Sequence, residues 1–195
     1  MKLGTLDRRD VLAPLFPRQE EYLFITGLAG PARDAAALSD DGSNMFTMAG
    51  CMGAAVSMGL GVAMSAPHRK VAVIAGDGEM LMNIGSLATV ATVSPENLSL
   101  ICIDNGCHGE TGGQTGHTSN KTNLEIMAIG AGIASTMTID TDAQLTEGEA
   151  FLREAPGPRF ILVRVKDGPP ADYKRNFDLA VCRFRFQDAY QASGV

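Results

Sequence analysis

The sequence predicts an α/β fold, a parallel sheet with helices on both faces. Three observations carry this expectation. The runs KVAVIAG (70–76), LSLICIDN (98–105) and PRFILVRVK (158–166) are almost continuously apolar, as strands covered on both sides are. Stretches of helical spacing lie between them, and alternation of strand and helix favours parallel strands joined by crossovers. Glycine is frequent, with 22 residues, and it clusters where the apolar runs end, as tight turns beside a ligand require.

Taken in order, residues 5–16 (TLDRRDVLAPLF) read as a short helix, with Thr5 or Asp7 as its cap and Pro14 limiting it. YLFIT (22–26) is a short apolar strand stopped by Gly27. Residues 30–44 are small and polar, with Pro31, Asp40, Asp41, Gly42 and Asn44, and read as a loop or a short turn of helix. MFTM (45–48) is a brief strand. AGCMGAAVSMGLGVAMSA (49–66) is apolar nearly all round and reads as a buried helix. After the 70–76 strand, EMLMNIGSLATVAT (79–92) has helical spacing and stops before Pro95. The 98–105 strand leads into a loop rich in Gly, Thr and His (106–122). NLEIMAIGAGI (123–133) is a helix capped by Asn123 or Thr122. STMTID (135–140) is a strand, DAQLTEGEAFLREA (142–155) a helix, and 158–166 the last strand. In the tail, DYKRNFDL reads as a turn and AVCRFRFQDAYQAS as a terminal helix.

The 195 residues are expected to form one domain, 1–195. A net charge of −6 argues against nucleic-acid binding, which needs basic patches, and means that an anionic substrate requires local cations or a metal. The first residues lack the long apolar run of a secretory signal, and no stretch suits a membrane span. Four cysteines, Cys51, Cys102, Cys107 and Cys182, contain no CxxC pair, so an iron–sulfur or zinc site is not expected and a reducing cytoplasmic setting is.

Chemistry concentrates in Gly76-Asp77-Gly78. In open parallel sheets ligands sit outside the carboxyl ends of the strands, and this motif closes one strand while Asn105 closes the next, 28 residues on from Asp77. The glycines allow close backbone approach, and the following helix start offers free N–H groups to a phosphate. A carboxylate and an amide oxygen with diphosphate oxygens make a ligand set that Mg²⁺ or Ca²⁺ accepts. Taken alone, Gly-Asp-Gly is as well explained as an ordinary turn.

Gly-Asp-Gly followed by Asn after 26 residues resembles the diphosphate motif of thiamine-diphosphate-dependent enzymes. The segment AGCMGAAVSMGLGVA (49–63) resembles the glycine-rich stretch that precedes that motif. GETGGQ (109–114) is similar to the loop that follows the Asn in sulfopyruvate and phosphonopyruvate decarboxylases and in 2-oxoacid:ferredoxin oxidoreductases. The resemblance covers nearly the whole chain and implies the thiamine-diphosphate-binding fold, with thiamine diphosphate and Mg²⁺ as cofactors. It implies Mg²⁺ ligands at Asp77, the Asn105 side chain and the Cys107 carbonyl. Gly76, Gly78 and Glu79, with Gly109, would meet the phosphates through their backbone. The Gly50 carbonyl would accept from the aminopyrimidine, and Met52 would wedge between the two rings. Glu79 departs from the Ser or Ala common at its position, so its carboxylate must point away from the diphosphate or pair with a cation. His108 is a candidate to touch substrate. His117 and Lys121 lie farther along the same loop.

The resemblance also implies a partner. The family's activating glutamate resides on a pyrimidine-binding domain that this sequence lacks, so a separate pyrimidine-binding subunit and a hetero-oligomer are expected, acting on a small 2-oxoacid. The alternatives are the cofactor-binding subunit of a 2-oxoacid:ferredoxin oxidoreductase, disfavoured by the cysteine spacing, and a non-catalytic assembly module of the same fold.

Overall fold

Alternate residues of the central strands serve two separate cores, which is how a parallel sheet becomes covered on both faces. The computed structural model describes residues 4–192. Its strands are β1 (Tyr22–Thr26), β2 (Met45–Thr47), β3 (Lys70–Gly76), β4 (Leu98–Asp104), β5 (Cys107–His108), β6 (Gln114–Thr115), β7 (Ser135–Ile139) and β8 (Arg159–Arg164). Six of them form one parallel sheet in the order β2-β1-β3-β4-β8-β7, and β5 and β6 pair as a small antiparallel ribbon. The helices are α1 (Leu12–Leu15), α2 (Ala29–Ser39), α3 (Ala55–Ser65), α4 (Asp77–Met82), α5 (Ser86–Val93), α6 (Leu124–Ala131), α7 (Asp142–Glu154) and α8 (Leu179–Gln191).

Leu23, Val71, Val73, Leu100 and Leu162 point to the face covered by α3, α5, α6 and α8. Phe24, Ala72, Ile74, Ile101 and Ile161 point to the face covered by α1, α2 and α7. β4 is buried at every position. Asn123 caps α6 by accepting from the Glu125 and Ile126 amides at 2.9 and 3.2 Å. Thr141 and Gln144 form a capping box on α7.

The chain departs from the sequence reading in several places. Only 12–15 of the expected 5–16 helix is helical, because Leu6 extends alongside Val165 as a parallel bridge instead. Where a loop or a short turn of helix is expected over 30–44, the eleven-residue helix α2 runs from Ala29 to Ser39. Its alanines favour helix, Pro31 sits in the first turn where no N–H is needed, and Asp34 is drawn inward by Arg8 at 2.8 Å. The 49–66 helix begins only at Ala55, since Ala49 (φ 48°) and Gly53 (φ 86°) turn the chain in left-handed conformations first. The 79–92 helix is two, α4 and α5, broken at Asn83–Gly85. Within the 106–122 loop, β5 and β6 give local order. The expected terminal helix, 180–193, starts one residue earlier, and its last residue lies outside the described ones. No helix among the described residues is long and apolar enough to cross a membrane.

Candidate active site

The strand order reverses around β1 and β3: β2 is added on one side of β1 and β4 on the far side of β3. A crevice opens at such a switch point, outside the carboxyl ends of the strands. Here it is a cavity of about 960 Å³, and the loops after β1, β2, β3, β4 and β8 all contribute to its wall. Met52, Gly76, Asp77, Gly78, Glu79 and Asn105 line it. So do Cys107, His108 and Gly109. Gly50 is exposed and does not line the cavity, although its neighbour Ala49 does. His117 and Lys121 are exposed and away from the wall.

Asp77 is 3% exposed. Burial, and then the charge of Asp104 at the end of the next strand, push its carboxyl up to about 6. Thr118 sits between the two carboxylates, its hydroxyl 3.0 Å from Asp77 Oδ2 and 2.7 Å from Asp104 Oδ1. One hydroxyl proton cannot satisfy both. A buried carboxylate pressed by a second one is a place that a cation would relieve. The loop beyond β6 closes over this spot: the Gly116 amide donates to Gly106 O at 2.6 Å, and Ser119 Oγ to the same oxygen at 2.7 Å. A side chain at 116 has no room, because its Cβ would lie 2.9 Å from the Gly106 carbonyl and 3.2 Å from Asp77 Oδ2.

Asn105 is 8% exposed. Its Nδ2 donates to Cys107 Sγ at 3.0 Å and to Asp167 Oδ1 at 3.4 Å, while its Oδ1 has only the Cys107 amide, at 3.5 Å. The amide oxygen therefore keeps lone-pair capacity toward the cavity. The Cys107 thiol donates to Asp167 Oδ1 at 3.1 Å, and burial with that hydrogen bond pushes it up to about 11. This setting disfavours the thiolate that a nucleophilic cysteine needs. Among the described residues no group of three or more His, Cys, Asp and Glu side chains stands ready to hold a metal. The donors at hand are one carboxylate, one amide oxygen and backbone carbonyls, which fit Mg²⁺ completed by diphosphate oxygens.

Glu79 resolves the departure noted in the sequence. Its carboxylate is buried and accepts from the Leu28 amide at 2.9 Å and the Gly53 amide at 3.4 Å. Burial raises its pKa, with the amides of Leu28, Gly53 and Gly76 acting in the opposite direction. Glu79 thus ties the loops after β1 and β2 to the start of α4, and its backbone stays available to a phosphate. Gly78 faces the other wall. A Cβ there would lie 2.8 Å from His108 Cε1 and 3.9 Å from the Met52 methyl carbon, so both side chains lie beside Gly78.

The residues of this chain thus fit a metal-bound diphosphate, and the comparisons with known proteins agree. Residues 32–163 match the family model described as thiamine pyrophosphate enzyme, C-terminal TPP binding domain. The chain belongs to this family. It is 36% identical over 177 residues to the sulfopyruvate decarboxylase subunit beta of Methanocaldococcus jannaschii, covering 89% of this chain and 91% of that one. It is 35% identical to the phosphonopyruvate decarboxylase of Streptomyces viridochromogenes, covering 86% of this chain but 40% of that protein. Among solved structures, a 2-oxoglutarate:ferredoxin oxidoreductase from Magnetococcus marinus superposes with a TM-score of 0.69 at 15% identity. It covers 88% of this chain and 64% of that one, a likeness of fold.

Sequence reasoning does not single out Asp104, Thr118 or Asp167. Asp104 carries a signal, standing beside Asn105 at the end of a buried strand. Thr118 and Asp167 carry none, because only the folded loops bring them to the site.

Proposed function

We propose that this chain is the thiamine-diphosphate- and Mg²⁺-binding subunit of a heteromeric 2-oxoacid decarboxylase of the sulfopyruvate or phosphonopyruvate type. The observation that carries the reading is the match over 91% of a decarboxylase beta subunit, in a chain whose buried Asp77 and Asn105 lie on one cavity wall. The name of that relative supports a partner subunit, which we identify as a pyrimidine-binding chain. Bound thiamine diphosphate supplies the electron sink for loss of CO₂. Asp77, the Asn105 amide oxygen and the Cys107 carbonyl would hold Mg²⁺, and the Gly78 and Glu79 amides, with Gly109, would receive the phosphates. Met52 would lie against the cofactor rings, and His108, beside Gly78, would face the substrate; Gly50, exposed and off the cavity wall, is given no part. The four cysteines are scattered as free thiols, Cys51 exposed and Cys102 and Cys182 buried, which does not favour electron transfer through a cluster.

Calorimetric titration of thiamine diphosphate with Mg²⁺ tests the reading, using this chain alone, with its partner subunit, and as Asp77→Ala. Binding that tightens with the partner and disappears in the variant is the expected result. Absence of binding in every case would leave the assembly-module alternative.

A further inference from the structure

Away from Asp77 and Asn105, the cavity wall carries a second kind of group. Arg33, in the first half of α2, and Arg175, on the segment between β8 and α8, both line it. The chain has a net charge of −6, so arginines without carboxylate partners are out of character. Neither one forms an ion pair among the described residues. Arg175 is 7% exposed. It is also held in place: one Nη donates to Thr47 Oγ1 at 3.1 Å, and its guanidinium lies 4.7 Å from the Phe177 ring centroid. Its Nε is buried without an acceptor among the described residues. Burial, and then the charge of Arg33, push Arg175 below the usual arginine range. Glu110 and Asp41 act in the other direction, but Glu110 is exposed and Asp41 is engaged by Arg185 at 3.1 Å and by the Asn176 amide.

Two guanidiniums that repel each other, one of them buried and rigidly held, are costly unless an anion joins them. Asp77 and Asn105 hold a different part of the wall, at the ends of β3 and β4. We infer that Arg33 and Arg175 form a subsite for a second anionic group of the substrate, so that the chain selects 2-oxoacids whose side chain ends in a sulfonate, phosphonate or carboxylate. The inference rests on the decarboxylase reading above. A planar guanidinium fork suits the oxygens of any of these groups. Pyruvate, with a methyl group there, leaves both forks unpaired.

The test uses the complex of the full chain with its partner subunit, as wild type, Arg33→Gln, Arg175→Gln and Arg175→Lys. For each, kcat/KM is measured with 3-sulfopyruvate, 3-phosphonopyruvate and pyruvate, and thiamine diphosphate affinity is measured by calorimetry. The wild type is expected to prefer the two substrates that carry a second anionic group. Each Gln variant is expected to lower their kcat/KM relative to that of pyruvate by about 10- to 100-fold, with Arg175→Lys retaining part of the preference. Arg33 is exposed, so its variant separates loss of charge from loss of folding. Equal losses on all three substrates would overturn the inference, as would a comparable loss of thiamine diphosphate affinity, which would assign the arginines to the cofactor. A wild-type complex that turns over pyruvate as well as the other two also overturns it and leaves the decarboxylase reading standing. A complex that decarboxylates no 2-oxoacid overturns both.

Discussion

Gly27 and Glu79 are predicted to be thermodynamically coupled. A Cβ on Gly27 would lie 1.6 Å from Glu79 Oε2 and 2.1 Å from its carboxyl carbon, so Gly27→Ala forces the carboxylate out of its place. Gly27 does not adopt a positive φ, so an alanine there meets no backbone penalty, and the collision is the whole effect. The displaced carboxylate loses the Leu28 amide at 2.9 Å and the weaker Gly53 amide at 3.4 Å. A charge-assisted hydrogen bond contributes about 1.5–3 kcal/mol, and burial of the carboxylate offsets part of it, so Glu79→Ala should cost about 2 kcal/mol. Gly27→Ala breaks the same bonds and leaves the carboxylate buried without its amides, costing about 2–4 kcal/mol. In the double variant the bonds are lost once, and the new methyl occupies space that the carboxylate has vacated. The two changes should therefore fall short of additivity by about 2 kcal/mol. For a chain of this length each kcal/mol moves the melting temperature by about 2–4 °C. Thermal and urea unfolding of the four proteins measures the cycle. If the double variant melts at the sum of the two single shifts, Glu79 does not act as a tie between the loops.

Asp77→Asn should raise the melting temperature of the cofactor-free protein by a few degrees, about 1–2 kcal/mol, by removing a buried charge that faces Asp104, while weakening Mg²⁺-dependent thiamine diphosphate binding at least about 100-fold. Scanning fluorimetry and calorimetry on one preparation check both signs. Thr118→Val removes the hydroxyl between Asp77 and Asp104 and should destabilise the metal-free protein by about 1–2 kcal/mol in urea unfolding, and a cost of the same order should remain once Asp77 is Asn, because the hydroxyl still donates to Asp104 at 2.7 Å. Gly116→Ala places a methyl 2.9 Å from the Gly106 carbonyl and should loosen the 106–119 loop at a cost of about 1–3 kcal/mol, read as faster hydrogen exchange at Cys107 and Ser119.

The sheet is legible because its signals are local. Val71, Val73 and Leu100 declare a buried strand by their spacing and branching, and the order of strand and helix implies parallel pairing without knowledge of any contact. Asp77 and Asn105 are legible for the same reason, since each closes such a strand. The reading fails where long-range contacts decide. Residues 30–44 read as a loop or a short turn of helix because of Pro31, Asp40, Asp41, Gly42 and Asn44, yet the stretch before Asp40 is helical, with Asp34 buried against Arg8, 26 residues earlier in the chain. Thr118 and Arg175 cannot be placed from sequence because their partners, Asp77 and Thr47, are 41 and 128 residues away.

Several of the departures gather at one edge of the fold. Ala29 (φ 58°) and Ala49 (φ 48°) hold left-handed conformations that cost an L-residue about 1–2 kcal/mol each, and both line the cavity. The helix expected over 49–66 gives way there, at Ala49 and Gly53, while the same stretch is helical as soon as it reaches the core at Ala55. Local preference governs the side of the molecule that packs, and is overruled on the side that binds. Strain persists at such a rim only where the surroundings over-determine it. Here Glu79 bonds the chain one residue before Ala29 and again at Gly53, so a single buried carboxylate fixes both cavity-facing loops.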